Sequence, residues 1–312
     1  MGKEYVNQHF VSQRYLNRFG TPNTNNDGYN IGVLRKKKDG SLHHFRQAVG
    51  NIAYKKNFYD ISYLDNPKYW EKYFSNEIEP LYGDYLNRVI SKIMLSSVEK
   101  YKLSVEERRQ LSKLLIFQYA RVPAFIKPAL EKESRICNQA KKEILNKYDT
   151  LLNDEQRKLI WDYKPETDFV KNVTIETFSS EENLNYFASI IEKGVFLIIY
   201  NDTDIPFFTS DNPVVLYNYM EESLNYGENG LVNSNTIIYY PLSPKIMLQV
   251  VPKGFKLWGL EVVDGSLNVL KPTVRDINYI AKVNDFQIEH ATSEIYITID
   301  MLELFNENTV EG

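Results

Sequence analysis

The chain has 312 residues, 43% of them hydrophobic and 25% charged, so it can bury a sizeable core and is not disordered as a whole. Its formal net charge of −4, from 37 Lys and Arg against 41 Asp and Glu, has the wrong sign for a protein that coats duplex DNA, although a local basic cleft stays open. The single cysteine, Cys137, excludes an intramolecular disulfide and a cysteine-based zinc site, and its helical surroundings read as packing.

The first residues, Met1 to Tyr5, lack the apolar core of a signal peptide. Helical periodicity then runs through Phe10, Tyr15, Leu16 and Phe19, with Gly20 as the stop, and His9 and Gln13, four apart, share a helix face if that helix begins early enough. Asp39-Gly40 predicts a hairpin between strands Tyr29 to Arg35 and Leu42 to Gln47. From Tyr69 to Leu95 apolar residues recur at helical spacing, with Pro80 marking a helix start or kink. Ser104-Val105-Glu106-Glu107 reads as an N-cap with acidic first-turn residues, opening a helix that Pro123 bends or ends. Charged helical repeats continue from Ala129 to Tyr148.

Strands follow. Val195 to Tyr200 is continuously apolar, as expected of a strand covered on both faces. It is also the most apolar run and far too short to cross a bilayer, so cytoplasmic residence and no membrane partner are expected. Phe207 to Thr209, Val214 to Tyr217, Thr236 to Tyr240 and Ile246 to Val251 are further strands, and the polar stretch Met220 to Ser234 is a mobile loop. A helix over Thr273 to His290 and a strand over Glu294 to Ile299 close the chain. The expected fold class is α+β: an N-terminal helix and hairpin, a central helical region, and a mixed or antiparallel sheet in the C-terminal half with a late helix. One domain spans 1–312, with sub-regions 1–67, 68–163 and 164–312.

No P-loop, GxGxxG, HExxH, GxSxG or kinase signature is present, which removes the best-marked nucleotide and protease classes. What remains is polar residues among apolar neighbours. Gln118 and Arg121 lie inside Leu114 to Pro123, where an arginine either pairs with a carboxylate or faces a cleft and holds an anion. Ser210-Asp211-Asn212-Pro213 between two strand-like pieces specifies a tight turn. That turn is either structural or places Asp211 at a strand end as a metal ligand or base.

Three stretches together resemble the bacterial and fungal family of domain of unknown function 4238: Gln8 to Leu16 with Phe19, Phe117 to Pro123, and Phe208 to Val214. Weaker agreement comes from Asn57-Phe58-Tyr59, Ile78-Glu79, Tyr240 to Pro244 and Ile277-Asn278. The chain departs from the family at Ser12, where proline is usual. The resemblance carries no activity, but it selects His9, Gln13, Glu79, Gln118, Arg121, Asp211, Asn212 and Asn278.

Two functional readings follow. In the first, the protein is a hydrolase, nuclease-like or phosphodiesterase-like, acting on nucleic acid or nucleotides. His9 is its acid/base, Glu79 and Asp211 hold Mg²⁺ or Mn²⁺ or orient water, and Arg121 steadies phosphate charge. Gln13, Gln118, Ser210, Asn212 and Asn278 then contact the ligand. In the second, the same residues form a non-catalytic module for a ligand or protein partner. A defence or toxin-like setting suits both. A purely structural network is the third alternative.

Overall fold

The computed structural model describes residues 6–24, 28–95, 100–224, 230–257, 260–261, 268–270 and 273–308. The first part holds β1 (Asn7–His9), α1 (Gln13–Leu16), β2 (Thr21–Pro22), β3 (Tyr29–Lys36), β4 (Leu42–Ala48) and β5 (Tyr54–Lys56). A long helical stretch follows: α2 (Tyr69–Tyr73), two π-helical turns (Phe74–Ile78 and Leu81–Tyr85) and α3 (Leu86–Leu95). After β6 (Lys100–Lys102) come α4 (Val105–Ala120), α5 (Pro123–Tyr148), α6 (Asp154–Asp162), α7 (Thr167–Ser179) and α8 (Glu181–Ile191). The second half contains β7 (Val195–Asn201), β8 (Thr209–Ser210), β9 (Val215–Asn218), β10 (Thr236–Ser243) and β11 (Ile246–Val251). It ends with β12 (Lys256–Leu257), β13 (Leu260–Glu261), β14 (Asn268–Leu270), β15 (Thr273–Val274), α9 (Ile277–His290), β16 (Glu294–Ile297) and α10 (Ile299–Asn308). The fold is α+β.

Two sheets organise the chain. The larger is mixed, in the order β6-β14-β7-β11-β10-β9, with β7, β11, β10 and β9 antiparallel and β14 parallel to β7. In β7 the apolar run is explained by two faces. Phe196 and Ile198 join the main core beneath α4 and α8, while Val195, Leu197 and Ile199 join a second cluster with Ile280, Val283 and Phe286 of α9. The smaller sheet joins the chain ends, because β3 pairs with β4, β2 and β16, and β16 with β8. Gly32 sits where β3 crosses β16 and α10, and a Cβ there would come within 2.8 Å of Ile297 and 3.0 Å of Leu302.

The hairpin forms as expected, with Gly40 at φ 84° in its turn. Ser104 caps α4 in a full capping box with Glu107, and Pro123 starts α5 after Arg121 and Val122 break the helix. Other expectations shift. His9 lies in a strand, not on a helix with Gln13, because Asn7, Gln8 and His9 pair with Lys56, Lys55 and Tyr54. Helix continues to Ile191, well past Tyr163. The strand expected from Phe207 shrinks to Thr209–Ser210, since Phe208 donates its backbone N–H to the Asn284 side chain instead of to a ladder. Of the stretch 220–234, residues 225–229 lie outside the described residues.

Candidate functional site

Arg121 stands at the C-cap of α4 and is 2% exposed. Its guanidinium lies 4.9 Å from the Phe74 ring centroid and 5.9 Å from that of Tyr59. Nη2 donates to the His9 carbonyl at 2.5 Å, Nε donates to the Tyr59 hydroxyl at 3.4 Å, and the Tyr59 hydroxyl donates to the Arg121 carbonyl at 2.8 Å. Glu79 Oε1 is 3.7 Å from Nη2, an ion pair too long to be a hydrogen bond. Burial works against the guanidinium charge, but the Tyr59 phenol and the Glu79 carboxylate outweigh it, and the pKa rises. Burial pushes the Tyr59 phenol up to about 12, with Arg121 pulling it back.

Glu79 and Pro80 stand between the two π turns. Pro80 has no N–H and cannot make its bond one turn back, and the helix widens on both sides of Glu79-Pro80. About two turns earlier on this helix lies Glu71. Burial pushes its carboxyl up to about 7, Arg121 pulls it down, and Glu79 and Asp60 add to the rise. The folded carboxyl thus titrates near 7 and the unfolded one near 4.5. Between those values the folded chain keeps a proton that the unfolded chain has lost, so this contribution is complete below 4.5 and is lost as pH rises through 7. With a discount for partial exposure, Glu71→Gln is expected to exceed the wild type by about 1–2 kcal/mol at roughly pH 8 and to match it near pH 4.5. Urea unfolding at the two pH values checks this, and equal stabilities at both would show that the carboxyl feels only solvent.

His9 packs its ring on Tyr54 with centroids 5.5 Å apart, and its Nδ1 lies 3.4 Å from Gln13 Nε2. Burial lowers its pKa to about 4, Gly50's backbone opposing and Arg121 assisting, so the imidazole is neutral. Gln118 donates to the Phe10 carbonyl at 3.2 Å. Around these residues hydrogen-bonding capacity is left over: the side-chain atoms Arg121 Nη1, Gln118 Oε1, His9 Nε2, Ser12 Oγ, Arg18 Nη1 and Tyr240 Oη are buried without a partner among the described residues. The Tyr240 phenol, stacked on Tyr15 at 5.2 Å, feels both Arg18 and Arg121, which ties the group into one electrostatic centre. A buried polar atom costs about 1–3 kcal/mol unless a water or a ligand takes its hydrogen bond.

The turn at 206–213 is differently built. Asp211 is 4% exposed, and its carboxylate accepts four hydrogen bonds, from the backbone N–H groups of Thr292, Ser293 and Glu294 and from the Ser293 hydroxyl, at 2.7–3.1 Å. Burial raises its pKa against these donors, which lower it. Ser210 Oγ donates to Gln287 Oε1 and accepts from the Asn212 backbone, and Asn212 Nδ2 donates to the His290 carbonyl. Asn284 and Gln287 of α9 complete the clamp on Pro206, Phe208 and Pro213. The donors that fill Asp211 all come from 292–294, and none from His9, Glu79 or Arg121. Asn278 is exposed in the first turn of α9, where its backbone N–H binds the Asp276 side chain.

The structure therefore brings together His9, Gln13, Glu79, Gln118 and Arg121, and puts Ser210, Asp211 and Asn212 in a separate clamp. Among the described residues no group of three or more His, Cys, Asp or Glu is placed to hold a metal ion. Sequence reasoning missed Glu71, Tyr240, Asn284 and Gln287. The last two left a signal: uncharged amides three apart on an apolar helix face, beside Ile280, Val283 and Phe286.

A family model described as a protein of unknown function, DUF4238, matches residues 7–300. No curated protein and no solved structure matches the chain. No helix among the described residues is long and apolar enough to cross a membrane.

Proposed function

We propose that this chain, which belongs to the DUF4238 family, binds a small phosphodiester of nucleotide size against Arg121 and hydrolyses it, with His9 and Glu71 moving the protons. The observation that carries the reading is the buried, unpartnered Nη1 of Arg121 beside a loose Glu79 pair. A phosphate oxygen can take that N–H and displace Glu79 from the guanidinium, which suits a bidentate contact. The Arg121 side chain is 1% exposed, so this reading requires the Glu79 side chain, 25% exposed, to swing aside and open the way to the guanidinium.

The chemistry balances with these groups. Water attacks phosphorus and gives its proton to neutral His9, a P–O bond forms, and the bond to the leaving oxygen breaks as protonated Glu71 supplies it a proton. Arg121 meets the charge that develops on the phosphoryl oxygens. Among the described residues no donor set exists for the Mg²⁺ or Mn²⁺ of the metal-assisted version, so no step runs through a metal. The same reading takes the chain as one domain working in the cytoplasm.

Turnover of cyclic nucleotides, dinucleotides and an activated diester, run in EDTA and again in Mn²⁺, tests it. Wild type should turn over in EDTA, and Glu71→Gln and His9→Asn should each lose about a hundredfold. No turnover of any substrate in either buffer would overturn the catalytic step. A second reading, binding without turnover, is favoured by one observation: an imidazole held down to about 4 is a weak base. Its signature is thermal stabilisation by a nucleotide that is neither hydrolysed nor bound by Arg121→Lys.

A further inference from the structure

Just after Arg121 in the chain, α5, α6 and the first turn of α7 line a hollow of about 660 Å³. Trp161 and Tyr163, at the end of α6, line it while 64% and 60% exposed. Lys141, Lys142 and Lys164 line it too, with Glu133 as the acidic member of the wall, so its charge is positive on a chain whose net charge is negative. Lys141 Nζ donates to the Trp161 carbonyl at 2.9 Å, which fixes the C-terminal end of α6 against α5 and holds the indole at the wall. Lys142 and Lys164 have no ion-pair partner among the described residues.

Helix α6 buries none of its residues, so the fold gains little from keeping two large rings here. Exposed aromatic faces beside lysine ammonium groups are how proteins hold a flat base and its phosphate: the ring stacks, and the ammonium acts as a point charge. The volume lies in the range of small-molecule sites, about 300–1,000 Å³, and exceeds what an inorganic phosphate needs.

We infer that this hollow is a second ligand site, for a nucleoside phosphate, with Trp161 and Tyr163 stacking the base and Lys142 and Lys164 holding the phosphate. It is independent of the Arg121 reading and shares no residue with it. An acidic peptide bearing an aromatic residue is the other occupant that such a wall could take.

Calorimetric titration of the full chain with AMP, adenosine and inorganic phosphate, together with quenching of tryptophan fluorescence, tests the assignment. AMP should bind more tightly than either part. Trp161→Ala and the double variant Lys142→Ala, Lys164→Ala should each weaken it by about tenfold or more. Trp161, Lys142 and Lys164 are all exposed, so these substitutions keep the fold. The assignment is overturned if AMP does not bind, if Trp161→Ala binds it as the wild type does, or if an acidic aromatic peptide binds where AMP does not. Loss of AMP binding in Arg121→Lys with retention in Trp161→Ala would overturn this site and leave the first one standing.

Discussion

Arg121→Met is expected to lower the stability by about 3–5 kcal/mol, the usual cost of removing one partner from a buried charged network. Methionine fills much of the same volume between Phe74 and Tyr59, so the loss measures polar contacts more than a cavity. It strands the His9 carbonyl and one contact of the Tyr59 hydroxyl, and it removes the counter-charge near Glu79 and Glu71. The Glu79 side chain, 25% exposed, recovers part of this in water, which keeps the estimate at the low end of the range. Urea unfolding reads the number, and a loss under about 1 kcal/mol would show that the guanidinium is solvated and not a buried hub. Arg121→Lys separates scaffold from function. It keeps the charge but loses the planar fork, so it should fold and yet fail to hold phosphate.

Asp211→Ala is expected to cost a similar amount, about 3–5 kcal/mol, for a different reason. Three backbone N–H groups and one hydroxyl lose their acceptor inside the fold, and each stranded buried donor carries a desolvation penalty. Those donors form the corner through which the chain leaves α9 and enters β16, the strand that joins β3 to β8. Asp211→Asn keeps one acceptor oxygen and should lose less than half as much. Under the proposed chemistry Asp211→Asn keeps its turnover. An inactive but stable Asp211→Asn would return the residue to the reaction and contradict its place as a clamp.

The elements legible in the sequence are those fixed locally. Asp39-Gly40 specifies its own turn, Ser104 and Glu107 cap each other three residues apart, and the run from Val195 needs two covered faces wherever it lies. Elements fixed by distant partners were not legible. His9 stands at helical spacing from Gln13, yet it and Gln8 pair with a strand 45 and 47 residues on, His9 with Tyr54 and Gln8 with Lys55. Pro80 announced an irregularity but not two π turns, because the choice between a kink and a widened helix depends on what the far side must reach. For the site, the apolar helix left two readings of Arg121 open, a carboxylate partner or an anion-holding cleft, and the Glu79 ion pair is the first of these. Glu71 was not legible, because its titration near 7 comes first from burial by distant parts of the chain, with Arg121 opposing the rise and Glu79 and Asp60 adding to it. Asp211 misled for the converse reason: a carboxylate in a Ser-Asp-Asn-Pro turn looks the same whether its acceptors face a ligand or the next strand.

The account turns on what Arg121 holds. Crystals grown without nucleotide and soaked with a slowly cleaved cyclic nucleotide analogue put the question directly. The account requires the phosphate within hydrogen-bonding distance of Arg121 Nη1, with the Glu79 carboxylate moved off the guanidinium. Density for water alone at that nitrogen, with the Glu79 pair intact at 3.7 Å and nucleotide absent or bound only elsewhere, would contradict it.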